Sequence, residues 1–450
     1  MPLFKVFLIL SLLGMFVRLK CPIGFSLLIS AAMLGAIFGM APGDLASDMW
    51  TGLTRGQSIE FAMVIGALLV MSNSLERSGR MDRIAKSLSL LLPGNRSVLV
   101  VLPGLVGLLP MPGGAMFSAP MVKATDQESE MSPESHTAVN YWFRHVWEYC
   151  WPLYPGLIYA ANLVGVPARV LVSRQWPLSI CALLCGCFFL LPRKKSAKKA
   201  TQPAQENAGS QAGAATGAPL SVPAVPSSPA AVTRPDTAVR ALPPPRGKAQ
   251  ALFMLLRDFS PVLSVLIIFI VTALPLSLCV ASGALISAVA TIAAGEVAVG
   301  LSGRRTFLDK NFLLFVLLGF GTMVFGYIVD RSGAATQIVS FLSQHVAYAP
   351  LVAAMVMPMI VGALTGLTLA FVATALPLVL RMEAMGVDPL PITVLAYACG
   401  FVGVLLSPAH ACLVLTNEYF GSKLSRVYKL ILPPLAMLVV MGLAMYFLLR

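Results

Sequence analysis

Apolar residues in this chain fall into blocks separated by short polar stretches, and the blocks have the length that crosses a bilayer. About 30 Å of hydrocarbon needs roughly 17–25 helical residues. Runs of that order lie at about 3–18, 22–41, 58–75, 138–160 and 168–192, and again at about 254–273, 275–295, 311–329, 391–416 and 428–449. Each predicts an α-helix, because lipid offers the backbone no hydrogen-bond partner and a helix satisfies its own N–H and C=O groups. The first block opens like a secretion signal. No small-residue cleavage site follows it, and Arg18-Leu19-Lys20 leads directly into the next apolar run, so it reads as a retained span.

The pattern changes between the third and fourth span of each half. Residues 81–94, beginning Met81-Asp82-Arg83-Ile84, alternate as an amphipathic interfacial helix does. Ser97 to Val122 is apolar but interrupted by Leu109-Pro110-Met111-Pro112-Gly113-Gly114, and prolines and glycines at that density stop a helix. Two half-helices meeting there predict a re-entrant hairpin, which is tolerated at membrane depth when it is buried in protein or lines a cavity. The second half repeats the device: Pro350 to Leu380 is interrupted at Gly362-Ala363-Leu364-Thr365-Gly366.

Other landmarks recur at nearly constant spacing. Pro22 falls on Pro275, Glu76-Arg77-Ser78-Gly79 on Asp330-Arg331-Ser332-Gly333, Ser118-Ala119-Pro120 on Ala375-Leu376-Pro377, Tyr141 on Tyr397 and Pro152 on Pro408. Matches in one order predict an internal duplication. The expected fold is therefore an all-α integral membrane protein of about ten transmembrane helices. It comprises two inverted five-helix repeats, each with a re-entrant hairpin, at residues 1–192 and 251–450. Between them, 193–250 opens Arg193-Lys194-Lys195 and continues rich in Ala, Pro, Ser and Gln, a composition that cannot bury a core and predicts a disordered linker.

Charge sets orientation more than partners. Only 11% of residues are charged against 57% hydrophobic, where a soluble domain carries about 25% charged. The net charge of +13 sits largely in short loops and in the linker, the positive-inside pattern, which places the linker in the cytoplasm and argues against a nucleic-acid surface. Five crossings back from the linker put the N-terminus outside, and because each half has an odd number of crossings the two repeats are expected to be inverted. Eight cysteines lie in or beside apolar runs; Cys181, Cys185 and Cys187 lack a nearby His or carboxylate and read as small buried residues.

Inverted repeats with broken helices place a solute site near the midplane, where freed backbone groups and half-helix N-termini face a cavity. The candidate substrate-binding residues are Pro112, Gly113, Gly114 and Ser118 at the first break, and Thr365, Gly366 and Thr368 at the second. The alternative at both is that Gly and Pro merely permit tight helix crossing. The fourth span of the first half carries Tyr141-Trp142-Phe143-Arg144-His145-Val146-Trp147-Glu148. On a helix, Tyr141, Arg144 or His145, Glu148 and Pro152 share one face. Charge inside a span usually faces a cavity; a helix entering at an aromatic interfacial belt is the other placement. Pro152 and Pro155 break this span, and Ser407-Pro408-Ala409-His410 breaks its repeat partner. Arg144 and Ser407 join the substrate-binding candidates, and His145, Glu148 and His410 are candidates for ion or proton coupling. No Ser-His-Asp set, metal-binding His spacing or phosphate-cradling loop occurs, so an enzyme is not expected.

At these residues the sequence resembles the ion-transporter superfamily, whose members include carriers for citrate, C4-dicarboxylates, gluconate and arsenite. Within it the nearest likeness is to a family of bacterial and archaeal membrane proteins of unknown function. Leu109-Pro110-Met111-Pro112-Gly113-Gly114-Ala115 and Glu76-Arg77-Ser78-Gly79 carry the resemblance, which covers nearly all of the chain outside the linker. It implies two five-span repeats with hairpins, transport by an elevator movement, and a homodimer. The dicarboxylate carriers hold Ser-Asn-Thr at their hairpin tips; here the tips read Pro112-Gly113-Gly114 and Leu364-Thr365-Gly366, which leaves substrate and coupling ion open.

The reading is thus a secondary active transporter in a bacterial or archaeal cytoplasmic membrane. It moves a small organic anion with a Na+ or H+ gradient, needs no cofactor beyond Na+ as a coupling ion, and has the lipid bilayer as its surroundings. An ion channel and an intramembrane enzyme are the rivals; the first needs a continuous polar stripe and the second a catalytic partner in a neighbouring span.

Overall fold

The computed structural model describes residues 2–19, 21–92, 94–109, 114–126, 131–191, 245, 247–272, 274–293, 310–334, 336–337, 340–341 and 348–450. The expected linker lies outside the described residues up to position 244; its last residues already belong to a helix that begins at Lys248, slightly before the expected start of the second half. Among the described residues the chain is helical, without strands. Among the described residues six helical stretches are long and apolar enough to cross a membrane: Gly56–Glu76, Ala168–Phe189, Lys248–Val271, Phe312–Arg331, Pro389–Phe420 and Leu424–Leu449.

In chain order the first half gives α1 (Pro2–Arg18), α2 (Ile23–Ile37), α3 (Pro42–Thr54), α4 (Gly56–Arg77), α5 (Arg80–Leu91), α6 (Gly94–Gly107), α7 (Ala115–Thr125), α8 (Pro133–His145), α9 (Pro155–Val164) and α10 (Ala168–Phe189). The second gives α11 (Lys248–Val271), α12 (Leu276–Ala293), α13 (Lys310–Arg331), α14 (Ala349–Thr365), α15 (Thr368–Thr374), α16 (Leu376–Leu380), a 3₁₀ turn at Arg381–Met385, α17 (Pro389–Leu406), α18 (Ala411–Phe420) and α19 (Leu424–Leu449).

The amphipathic reading of the segment after α4 is carried by α5, which buries Met81, Ile84, Ala85 and Leu88, the one-face pattern of a helix. It lies on α11, where Arg83 Nε donates to Asp258 Oδ2 at 2.8 Å. Helix α3 is absent from the sequence expectation because it is too polar and too short to register as a span. Its local signals are present: Pro42 in the first turn and Asp44 beside the positive end of the helix dipole. It packs on α13, and its Asp48 meets Arg331 Nε at 3.2 Å.

Packing divides the helices by partner. α2 lies against α13 and α4 against α12, so each half's second apolar helix packs on the other half's third. The α2–α13 approach is close because both sides are glycine: a Cβ on Gly24 would lie 2.6 Å from the Leu317 carbonyl carbon, and one on Gly321 would lie 2.5 Å from Gly24 O. Further long contacts fall within another set of helices. α6 packs on α8, α14 on α17, and α10 on α19. The α17–α18 stretch is the innermost, 89% of its apolar window being buried against 28% for α11, so polar groups there must find partners within the protein.

Candidate functional site

Both expected hairpin breaks appear as helix ends. α6 stops at Gly107 and α7 starts at Ala115; Pro112 and Gly113 lie outside the described residues. Gly114 precedes α7 and is buried, its carbonyl accepting from Phe117 N at 3.1 Å and Ser118 N at 3.3 Å. α14 stops at Thr365 because Gly366 adopts φ +68, a left-handed conformation that costs a residue with a Cβ roughly 1–2 kcal/mol. At Gly366 space is limiting as well as backbone angle: a Cβ there would lie 2.8 Å from His410 N.

The fourth spans are broken too. α8 ends at His145, and residues 146–154 pass through successive turns, with Glu148 N bonded to His145 O at 3.3 Å and Tyr154 N to Trp151 O at 3.2 Å. Glu148 and Pro152 therefore do not continue the α8 face, as the sequence expected. The prolines at 152 and 155 remove two backbone donors and the helix resumes only at Pro155. In the second half, α17 ends at Leu406, Ser407 Oγ accepts from Ala409 N at 3.2 Å, and α18 begins after His410.

The tertiary structure brings Arg144, His145, Glu148, Gly366, Thr368 and His410 to one place. His145 Nε2 stands 3.2 Å from His410 Nε2 and 3.8 Å from Glu148 Oε1. The second carboxylate oxygen accepts from Thr368 Oγ1 at 3.3 Å. Arg144 Nη1 donates to Cys412 Sγ at 3.0 Å. All except Thr368 are buried, Arg144 at 4% exposure, His145 at 2%, and Glu148 and His410 at 8%. Arg144 is therefore enclosed by protein, whereas a snorkelling Arg keeps its head in water. Charged and titratable groups enclosed in this way are costly and meet opposite charge or hydrogen-bond partners, as they do here.

Three other candidates use their hydroxyls on nearby backbone. Ser118 Oγ donates to Ala115 O at 3.4 Å and Thr365 Oγ1 to Val361 O at 2.8 Å, while Ser407 caps its own turn. They shape the breaks without reaching the Glu148 cluster through any of these bonds.

Several residues beyond the sequence candidates hold the site. Tyr397 OH donates to Glu148 O at 3.2 Å, and Tyr141 OH to Leu405 O at 3.1 Å, so each half's tyrosine fastens the other half's broken span. Tyr154 OH bonds Gly107 O, tying the first break of the fourth span to the end of α6. Asn140 Nδ2 donates to Ala115 O and to Thr416 Oγ1, each at 3.3 Å. Cys412 could not be singled out from eight scattered cysteines. The aligned Tyr141 and Tyr397 were the available signal for the tyrosine clasps.

Comparison with known proteins gives one family. No curated protein matches the chain. A family described as "Protein of unknown function (DUF401)" matches residues 3–203 and 236–449, which is nearly everything outside the centre of the expected linker. The chain belongs to that family of proteins of unknown function.

Proposed function

We propose that this chain is a multi-pass secondary active transporter that carries a small organic anion across a bacterial or archaeal cytoplasmic membrane, built as two inverted repeats. The observation that carries the reading is reciprocal packing of the broken elements. α9 lies against α15, and α18 against α7: the second part of each half's fourth span meets the second part of the other half's hairpin. The tyrosine clasps follow the same exchange. Two copies related by a two-fold axis in the membrane plane produce such an exchange, and carriers built that way hold solute where discontinuous helices meet.

An elevator movement accounts for the two packing sets. α2, α3, α4, α11, α12 and α13 pack mainly with one another, and α6–α9 with α14–α18 form the second set. The likeness to carriers with re-entrant hairpins supports a sliding second set and a homodimer formed through the first. Arg144 and the N-terminus of α18 beside it favour an anion. His145, in contact with both Glu148 and His410, favours the proton, rather than Na+, as coupling ion, since carboxylate and imidazole groups side by side can pass a proton between them.

The test is solid-supported-membrane electrophysiology on reconstituted protein, using a panel of mono-, di- and tricarboxylates under an imposed pH or sodium gradient. At least one acid should give a transient current that depends on the pH gradient and is lost in Glu148→Gln. Silence across the panel from folded, reconstituted protein would refute the carrier, and a sustained current following voltage alone would identify a channel.

A further inference from the structure

The cluster at the two span breaks has a second chemical property that transport of an anion does not require. We infer that His145, His410 and Cys412, with Glu148 completing the set, bind a borderline-soft divalent metal ion of the zinc class.

Three ligands of the two types such ions prefer, imidazole and thiolate, are gathered together: the ligand atoms of His145, His410 and Cys412 all lie within 4.8 Å of one another. The two Nε2 atoms are 3.2 Å apart. Tetrahedral coordination with metal–nitrogen bonds of about 2.0 Å places neighbouring nitrogens about 3.3 Å apart, so the imidazoles already stand at coordination spacing. Sulfur with imidazole selects zinc-like ions over magnesium or calcium, which require oxygen.

Ring orientation fits as well. His145 Nδ1 lies 2.5 Å from Tyr141 O, a carbonyl that can only accept, so the proton of neutral His145 resides on Nδ1 and the Nε2 lone pair points at His410. A backbone carbonyl holding the distal ring nitrogen is the usual outer support of a metal-bound histidine. His410 presents Nε2 to the same point.

Charge is compatible with a dication. The ligating form of cysteine is the thiolate, and Arg144 Nη1, 3.0 Å from Sγ, compensates that charge when the site is empty of metal. Glu148 Oε1 stands 3.8 Å from His145 Nε2, beside the three ligands, while Thr368 donates to the other oxygen. His145 ends α8 and Glu148 lies in the break that follows, while His410 caps α18 and Cys412 lies in its first turn. A bound ion would therefore join the two halves where both fourth spans are interrupted.

This inference does not rest on the transport reading, and its test needs no substrate. Purified full-length protein, reduced and stripped with chelator, is titrated with Co2+ as a spectroscopic stand-in for Zn2+. One ion per chain is expected, with tetrahedral d–d bands and a sulfur-to-cobalt charge-transfer band, both abolished by Zn2+. Cys412→Ser should lose the charge-transfer band and retain weakened d–d bands. His410→Asn should weaken binding at least about tenfold. Circular dichroism and apparent Tm without metal verify that each variant is folded, and the use of two variants, His410→Asn and Cys412→Ser, guards against one failing. A six-coordinate spectrum unchanged in both variants, or no stoichiometric binding, would overturn the site and leave an imidazole–imidazole hydrogen bond.

Discussion

Replacing either of two glycines with alanine should destabilise the hairpins although alanine favours helix. A Cβ on Gly107 would lie 2.0 Å from Arg144 O, and one on Gly362 would lie 2.3 Å from Gly400 O. Carbon–oxygen contacts settle at roughly 3.3 Å, so each hairpin helix must retreat from its fourth-span partner by about 1 Å. The obstructing atoms are backbone, which no rotamer change relieves. Overpacking of this kind costs about 1–3 kcal/mol, opposed by up to about 1 kcal/mol from the better helix former. Gly107→Ala and Gly362→Ala should each lose about 1–2 kcal/mol on balance. The assay is apparent Tm of purified protein at one fixed heating rate, because unfolding of large proteins is often irreversible. Gly43→Ala is the control: it lies in α3 with nothing within 4 Å of the added Cβ, and should leave Tm unchanged or raise it. If Gly107→Ala and Gly362→Ala behave as Gly43→Ala does, the close approach of hairpins to fourth spans is refuted.

Gly366→Ala and Gly366→Asn should both impair uptake equally, because the added Cβ meets His410 N at 2.8 Å in either case; recovery by Asn, which tolerates the left-handed backbone better, would show that conformation alone mattered. Asp258→Asn should lower stability by about 1–3 kcal/mol in thermal unfolding, since Arg83 Nε loses a charged acceptor at 2.8 Å; an unchanged Tm would show that α5 is held to α11 by apolar contacts alone. Deleting 204–235, the stretch between the two matched segments of the family, should leave apparent Tm within a few degrees of the intact chain, and a larger fall would refute the linker reading. At the start of α8, Glu134 is held below its ordinary value of 4.5 by its own backbone N–H, then by Lys423 N–H and Arg426. A lowered carboxylate stabilises above its unfolded pKa, and that contribution is lost as pH falls through the lowered value. Glu134→Gln should therefore leave Tm at pH 7 slightly reduced and flatten its decline below pH 4.5; an identical acid limb would exclude the contact.

Much of the fold was legible because membrane helices are written in long, redundant signals. Runs of apolar residues, the prolines at 152 and 408, and the glycine at 366 each act through local backbone chemistry, so their helices and breaks follow from neighbouring residues alone. α3 was missed because its helix signals are capping signals on a polar segment, weak beside spans of lipid-facing length. The face shared by Tyr141, Arg144 and Glu148 was misjudged because a helix was continued past His145, where the turns at 146–154 redirect Glu148.

The candidate site divides along the same line. Sequence alone determined that Arg144, His145 and Glu148 sit beside one interruption, and Thr365, Gly366, Thr368 and His410 beside others, since charge and helix-breaking residues are local properties. Only the tertiary structure decided that His145 meets His410, that Thr368 reaches Glu148, and that Cys412 stands beside Arg144. These partners are separated by more than two hundred residues. Nothing in a local pattern ranks such pairs; they are selected by which backbones can approach, and Gly107, Gly362 and Gly366 are where the absence of a side chain lets them.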